Sequence, residues 1–126
     1  MPNAQLASKS RFDLEERLPG FSMRIVRLVD ALPNRRAANH ITGQLLQCGT
    51  SASGNHGEVE AVESRKDFLH KLKICLKELK ETCRWLRLLT KSSMAAEIKL
   101  VPILKETEEL VRIYFSSNRT AKRNSK

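Results

Sequence analysis

The sequence predicts an all-α protein, an antiparallel four-helix bundle, and three observations carry that prediction. Apolar residues recur at steps of three and four along most of the chain. No stretch shows the strict alternation of a half-buried strand. The periodic stretches are separated by short polar breaks, which favours neighbours running up, down, up and down. With 126 residues the chain suits one small domain.

Residues 1–12 are polar and patternless and are expected to form a flexible N-terminal tail. The bundle is expected over residues 13–118. Its first helix should run from about Leu14 to Leu32, with Leu18, Phe21, Ile25, Leu28, Val29 and Leu32 inside. Pro19 and Gly20 should delay or bend its start, because proline has no amide hydrogen to give. Pro33-Asn34 ends it. The second helix should begin near Arg35, with Asn34 as N-cap and Ala38, Ile41, Leu45, Cys48 and Ala52 on its buried face. Its second half, GTSASGNHG, is poor in helix formers. Locally that segment reads as a loop; it can also be helix where a neighbouring backbone approaches closely.

Glu58 to Glu63 reads as a short turn. Ser64 then caps a third helix, with Asp67 in the reciprocal position of a capping box. That helix should reach about Thr90. Its dry stripe is Leu69, Leu72, Leu76, Leu79, Cys83 and Leu86, widened by Phe68, Cys75 and Leu89. Lys91-Ser92-Ser93 turns the chain. A fourth helix should span about Met94 to Ser117, with Leu100, Leu104, Thr107, Val111 and Tyr114 inside and Ile103 and Leu110 beside them. Pro102 should kink it or split off a first piece. Residues 119–126 are expected as a basic C-terminal tail.

Net charge is +9, with a pI near 9.9. Much of it is terminal: the last eight residues hold Arg119, Lys122, Arg123 and Lys126 and no acid. The third helix adds a cationic stripe of Lys66, His70, Lys73, Lys77, Lys80, Arg84, Arg87 and Lys91. Alternating steps of four and three put all of them on one face. Clustered lysine and arginine displace counterions from a phosphate backbone, so RNA or DNA is a natural partner. Two readings oppose this. The face can simply be solvated, or Glu106, Glu108 and Glu109 can neutralise Lys73, Lys77 or Lys80 across helices or subunits. Trp85 lies off the stripe and Phe68 belongs to the core, which favours backbone contact with structured nucleic acid over base stacking.

No run of residues is long and apolar enough for a membrane span, and the start lacks a signal-peptide core. Cys75 and Cys83 lie about 12 Å apart along one helix, too far for a disulfide. All three cysteines, Cys48 included, read as reduced thiols of a cytoplasmic protein. His56, Glu58, Glu60 and Glu63 match no metal-ligand spacing, so no metal or cofactor is expected. Gly49, Gly54 and Gly57 lack the lysine and the preceding strand of a phosphate loop. Ser51 and Ser53 have no evident base, and no enzyme is expected.

The third helix has a further face of Ile74, Glu78, Glu81, Trp85 and Leu88. Val101, Ile113 and Phe115 also fall outside the inner line of the fourth. A single bundle cannot bury all of these, which points to self-association through Ile74, Trp85 and Leu88.

The segment GTSASGNHGEVEAVESRKDFLHKLKICLKELKETCRWLRLL resembles the bacterial four-helix-bundle family of 23S ribosomal RNA intervening-sequence proteins. So do HITGQLLQCGTS before it and ELVRIYFSSNRTAKRN at the end. The resemblance covers about residues 12–124. It implies a homopentamer of four-helix bundles, with Gly49–Asn55 helical and the second helix reaching about His56. Near His56 and Asn118 the family usually has larger apolar residues, where this chain is polar. A related branch, the accessory protein of diversity-generating retroelements, is an RNA-binding pentamer that partners a reverse transcriptase. Two functions are therefore expected in competition. One is a noncatalytic oligomer that binds structured RNA through Lys66, Lys73, Lys77, Lys80, Arg84, Arg87, Lys91, Arg119, Lys122, Arg123 and Lys126. The other is a protein-interaction scaffold, for example for a reverse transcriptase, without RNA affinity of its own.

Overall fold

The computed structural model describes the backbone of residues 2–61 and 64–124, and the side chains of 16–57, 64–120, 122 and 123. Four helices account for nearly all of it: α1 (Pro2–Asp30), α2 (Arg36–Ala61), α3 (Arg65–Ser92) and α4 (Glu97–Asn124). No strand occurs among the described residues. Each helix packs against its neighbours in sequence, and α4 returns to pack against α1. Among the described residues, no Cα of α1 lies within 8 Å of α3, nor any of α2 within 8 Å of α4. The core therefore sits inside a ring of four helices.

Most helix-end differences are towards length, although α1 stops at Asp30, short of Leu32, and α4 starts at Glu97, three residues after Met94. α1 begins at Pro2 instead of near Leu14, so the expected tail over 1–12 is helical from its second residue. Ala4, Gln5, Leu6, Ala7 and Lys9 are good helix formers, and a proline at the first position loses only an amide that lacks a helical partner anyway. Pro19 lies within α1 without ending it. Leu18 and Phe21 on either side are buried, and their packing outweighs one missing hydrogen bond. α2 runs on to Ala61, through most of the expected turn; Val62 and Glu63 lie outside the described residues. α4 starts at Glu97 but continues through Pro102 and on to Asn124, so residues 119–124 of the expected tail are also helix. Lys126 lies outside the described residues.

The boundaries of α3 follow its sequence closely. The Ser64 side chain accepts a hydrogen bond from the Asp67 amide at 3.1 Å. Ser93 ends the helix in the left-handed conformation, at φ 57°. Asn34 does not cap α2: its side chain accepts from the Asn39 side-chain amide at 2.8 Å, and the helix begins two residues later.

The glycine-rich half of α2 is helical for a packing reason. A Cβ on Gly49 would lie 2.8 Å from Cγ2 of Ile25, a fully buried α1 side chain. Ser22 of α1 donates to the Gly49 carbonyl at 2.9 Å. Here two helices approach more closely than any other residue would allow.

The inner lines expected for all four helices are buried or half-buried. Three polar side chains join them unannounced by periodicity: His56, Thr82 and Asn118. Thr82 returns its hydroxyl to the Glu78 carbonyl at 2.8 Å. No described helix is long and apolar enough to cross a membrane.

Candidate nucleic-acid interface

The eight residues of the α3 stripe, Lys66 to Lys91, are all exposed. The opposite face of α3 supplies the reason, since Leu72, Cys75, Leu79, Cys83, Leu86 and Leu89 are buried there and fix the rotation of the helix. The stripe is therefore held outward by packing, not by its own contacts.

Its charge is not cancelled by α4 in the expected way. Glu106 pairs with Arg24 and Glu109 with Arg17, both on α1, the second pair at 3.0 Å. Glu108 faces Arg87 at 3.9 Å. The expected pairing of these acids with Lys73, Lys77 or Lys80 does not occur within the chain. The reason is rotational: Glu106 and Glu109 lie on the α1 side of α4, and Glu108 lies level with the far end of α3. Among the described residues Lys66, Lys73, Lys80, Arg84 and Lys91 enter no ion pair. Lys77 acts electrostatically on Glu78, whose carboxyl is nonetheless raised above its ordinary value, chiefly by burial and then by Glu81.

A second cationic line was missed by reading the C terminus as a tail. Lys105, Arg112, Arg119 and Arg123 fall at steps of seven, seven and four along α4, and all four are exposed. Once α4 is continuous, Arg119, Lys122 and Arg123 extend a helix face. The cue was available in the absence of any Gly or Pro between Ile103 and Lys126.

The residues assigned to self-association separate. Leu88 is 43% exposed, whereas Ile74 and Trp85 are half-buried within the chain. Trp85 meets His40 of α2 edge-on, ring centres 6.0 Å apart. Of the other apolar outliers, Ile113 is half-buried, while Val101 and Phe115 are exposed.

The buried His56 and Asn118 lie at one end of the core. His56 Nδ1 and the Tyr114 hydroxyl are 2.7 Å apart, joining α2 to α4 across the bundle. Asn118 donates to the Leu72 carbonyl at 3.3 Å and the Tyr114 carbonyl at 2.9 Å. These bonds are how two polar side chains replace apolar packing. Cys75 of the same end gives its thiol to the Ala52 carbonyl at 3.9 Å, and burial pushes that thiol up to about 11. Burial also pushes the Tyr114 phenol well above its ordinary range. The Cys48 and Cys83 thiols are raised by burial too. Protonated thiols in a dry core are poor nucleophiles, so this cluster supports packing and not catalysis. No group of three or more His, Cys, Asp or Glu side chains able to hold a metal occurs among the described residues.

Known proteins place this architecture. No curated protein matches the chain. One solved structure is a protein of unknown function from the S23 ribosomal protein family of Bacteroides thetaiotaomicron VPI-5482. It is 31% identical, covers 87% of this chain and 98% of its own, and superimposes with a TM-score of 0.81. The family model for the 23S rRNA-intervening sequence protein matches residues 15–116. That span takes in the second half of α1, all of α2 and α3 with the α3 stripe, and α4 up to its last turns, and the chain belongs to the 23S rRNA-intervening sequence protein family.

Proposed function

We propose that this chain is a noncatalytic, oligomeric nucleic-acid-binding protein of the bacterial cytoplasm, which holds structured RNA through the basic surface of α3 and the end of α4. The observation that carries this reading is the outward stripe from Lys66 to Lys91, most of whose cations have no carboxylate partner among the described residues. Cations left in water are available to exchange their counterions for phosphates.

The same reading includes an antiparallel up-down-up-down bundle assembled as a homopentamer. Cross-helix pairs run in opposite directions along α2–α3 and α3–α4: Cys48 with Thr82 and Ala52 with Cys75, then Leu72 with Asn118 and Arg87 with Glu108. A closed ring of subunits would gather several stripes into one array, so that weak phosphate contacts add by avidity.

Changing Lys73, Lys77 and Lys80 together to Glu tests the assignment. The variant is expected to lose RNA binding, and the wild-type affinity is expected to fall steeply with salt. Unchanged affinity in the triple variant would remove α3 from the interface. A second reading, a scaffold for a protein such as a reverse transcriptase, draws on the exposed Ile98 and Val101 at the start of α4. Purification that recovers a protein partner and no nucleic acid favours it.

A further inference from the structure

We propose that Phe115 is a stacking platform for an unpaired nucleobase, framed by cations of α3 and α4. This rests on the nucleic-acid reading above and narrows its ligand to one with single-stranded nucleotides, in a loop, bulge or free strand. Phe115 is 54% exposed, although it lies on a helix with a fully buried face. Arg112 and Arg119, three residues before it and four after, share its side of α4 and are exposed.

The register between α3 and α4 supplies the rest of the frame. Glu108, Phe115 and Lys122 follow at steps of seven, one line along α4. Arg87, Lys80 and Lys73 follow at the same steps along α3. Glu108 meets Arg87 at 3.9 Å, and three residues beyond Phe115 the Asn118 amide reaches the Leu72 carbonyl. The short Asn118 side chain on the Leu72 carbonyl sets residue 75 level with Phe115, so the ring lies between the levels of Lys73 and Lys80. The ring thus lies in the seam between the two cationic lines. The acid on its line, Glu108, is engaged by Arg87.

That setting fits a base better than a second copy of the chain. Protein interfaces are depleted of charge at their centres, and this aromatic is surrounded by it. Sites for single-stranded nucleic acid combine an aromatic face with cations that track the backbone. A base stacked on Phe115 would place its flanking phosphates within reach of Lys80, Arg112 and Arg119.

The test compares an unstructured single-stranded RNA, the same strand in duplex, and the corresponding single-stranded DNA, by anisotropy in full-length protein. Phe115→Ala is expected to weaken single-strand binding about 5- to 100-fold and to leave duplex binding within about twofold. Phe115→Trp is expected to restore it, and 2-aminopurine in the strand to be quenched by the wild type and Phe115→Trp but not by Phe115→Ala. A like loss on single-stranded DNA says that base and phosphate suffice; a loss confined to RNA adds the ribose hydroxyl, and both support the site. Equal losses on single strand and duplex, no loss on either, or a changed assembly mass in Phe115→Ala would overturn it. Duplex binding with an indifferent Phe115 overturns this inference alone; binding to none of the three overturns the parent reading with it.

Discussion

Gly49 is the residue at which the bundle tolerates least. Its missing Cβ admits Ile25, which has no free space to retreat into. Gly49→Ala is expected to destabilise the fold by about 1–3 kcal/mol in urea unfolding, the ordinary cost of overpacking. Gly54 is helical too, but nothing lies within 4 Å of where its Cβ would be. Gly54→Ala is expected to stabilise by about 0.5–1 kcal/mol, since it only removes backbone freedom from the unfolded chain. Sequence reading recognised this segment as either a loop or a close approach, and could not say which glycine mattered. The answer depends on Ile25, a residue 24 positions away. Phe115 poses a related problem: periodicity marks it only as apolar and off the inner line, because what faces it from α3 belongs to another helix.

Among the elements, α3 was the most legible. Its cap, its dry stripe and its cationic stripe are all local patterns, and each has its structural counterpart. The ends of α1, α2 and α4 were legible only in part. A helix without a strong stop signal continues as long as its residues permit, and composition alone did not mark that the tails would join. The third face of α3 has a measurable consequence. Glu78 and Glu81 sit one turn apart, and the Glu78 carboxyl is raised by burial and by that neighbour. A raised carboxyl favours the folded state fully below its ordinary value and loses that advantage as pH rises through the raised one. Glu78→Gln is therefore expected to raise the melting temperature near pH 7. Near pH 3, where the carboxyl is protonated in both states, the gain should vanish in a thermal scan.

For the whole molecule, the unsettled mass of apolar surface matters most. Leu88 is exposed beside a Trp85 that His40 only partly covers. Burying the rest of that indole between subunits is worth on the order of 1–3 kcal/mol per contact, repeated around a ring. Trp85→Ala is expected to shift the proposed pentamer to smaller species in light scattering while helix content by circular dichroism stays near wild type. A wild-type monomer at micromolar concentration would dismiss both the ring and its avidity. The expectation of five subunits rests on family resemblance alone, because no intrachain pattern counts copies.

The bond between His56 and Tyr114 joins the two helices that the backbone keeps apart. A ring held only between neighbours can open at one seam while the others stay shut. A cross-brace makes that harder, because separating α2 from α3 at this end must also pull on α4. The end carrying Gly54, Tyr114 and Asn118 should then exchange its amide hydrogens with deuterium as a single cooperative unit. Tyr114→Phe keeps the ring in place and removes the brace. In that variant the second half of α2 should exchange several-fold faster than the facing turns of α4, as two units that once opened together come to breathe separately.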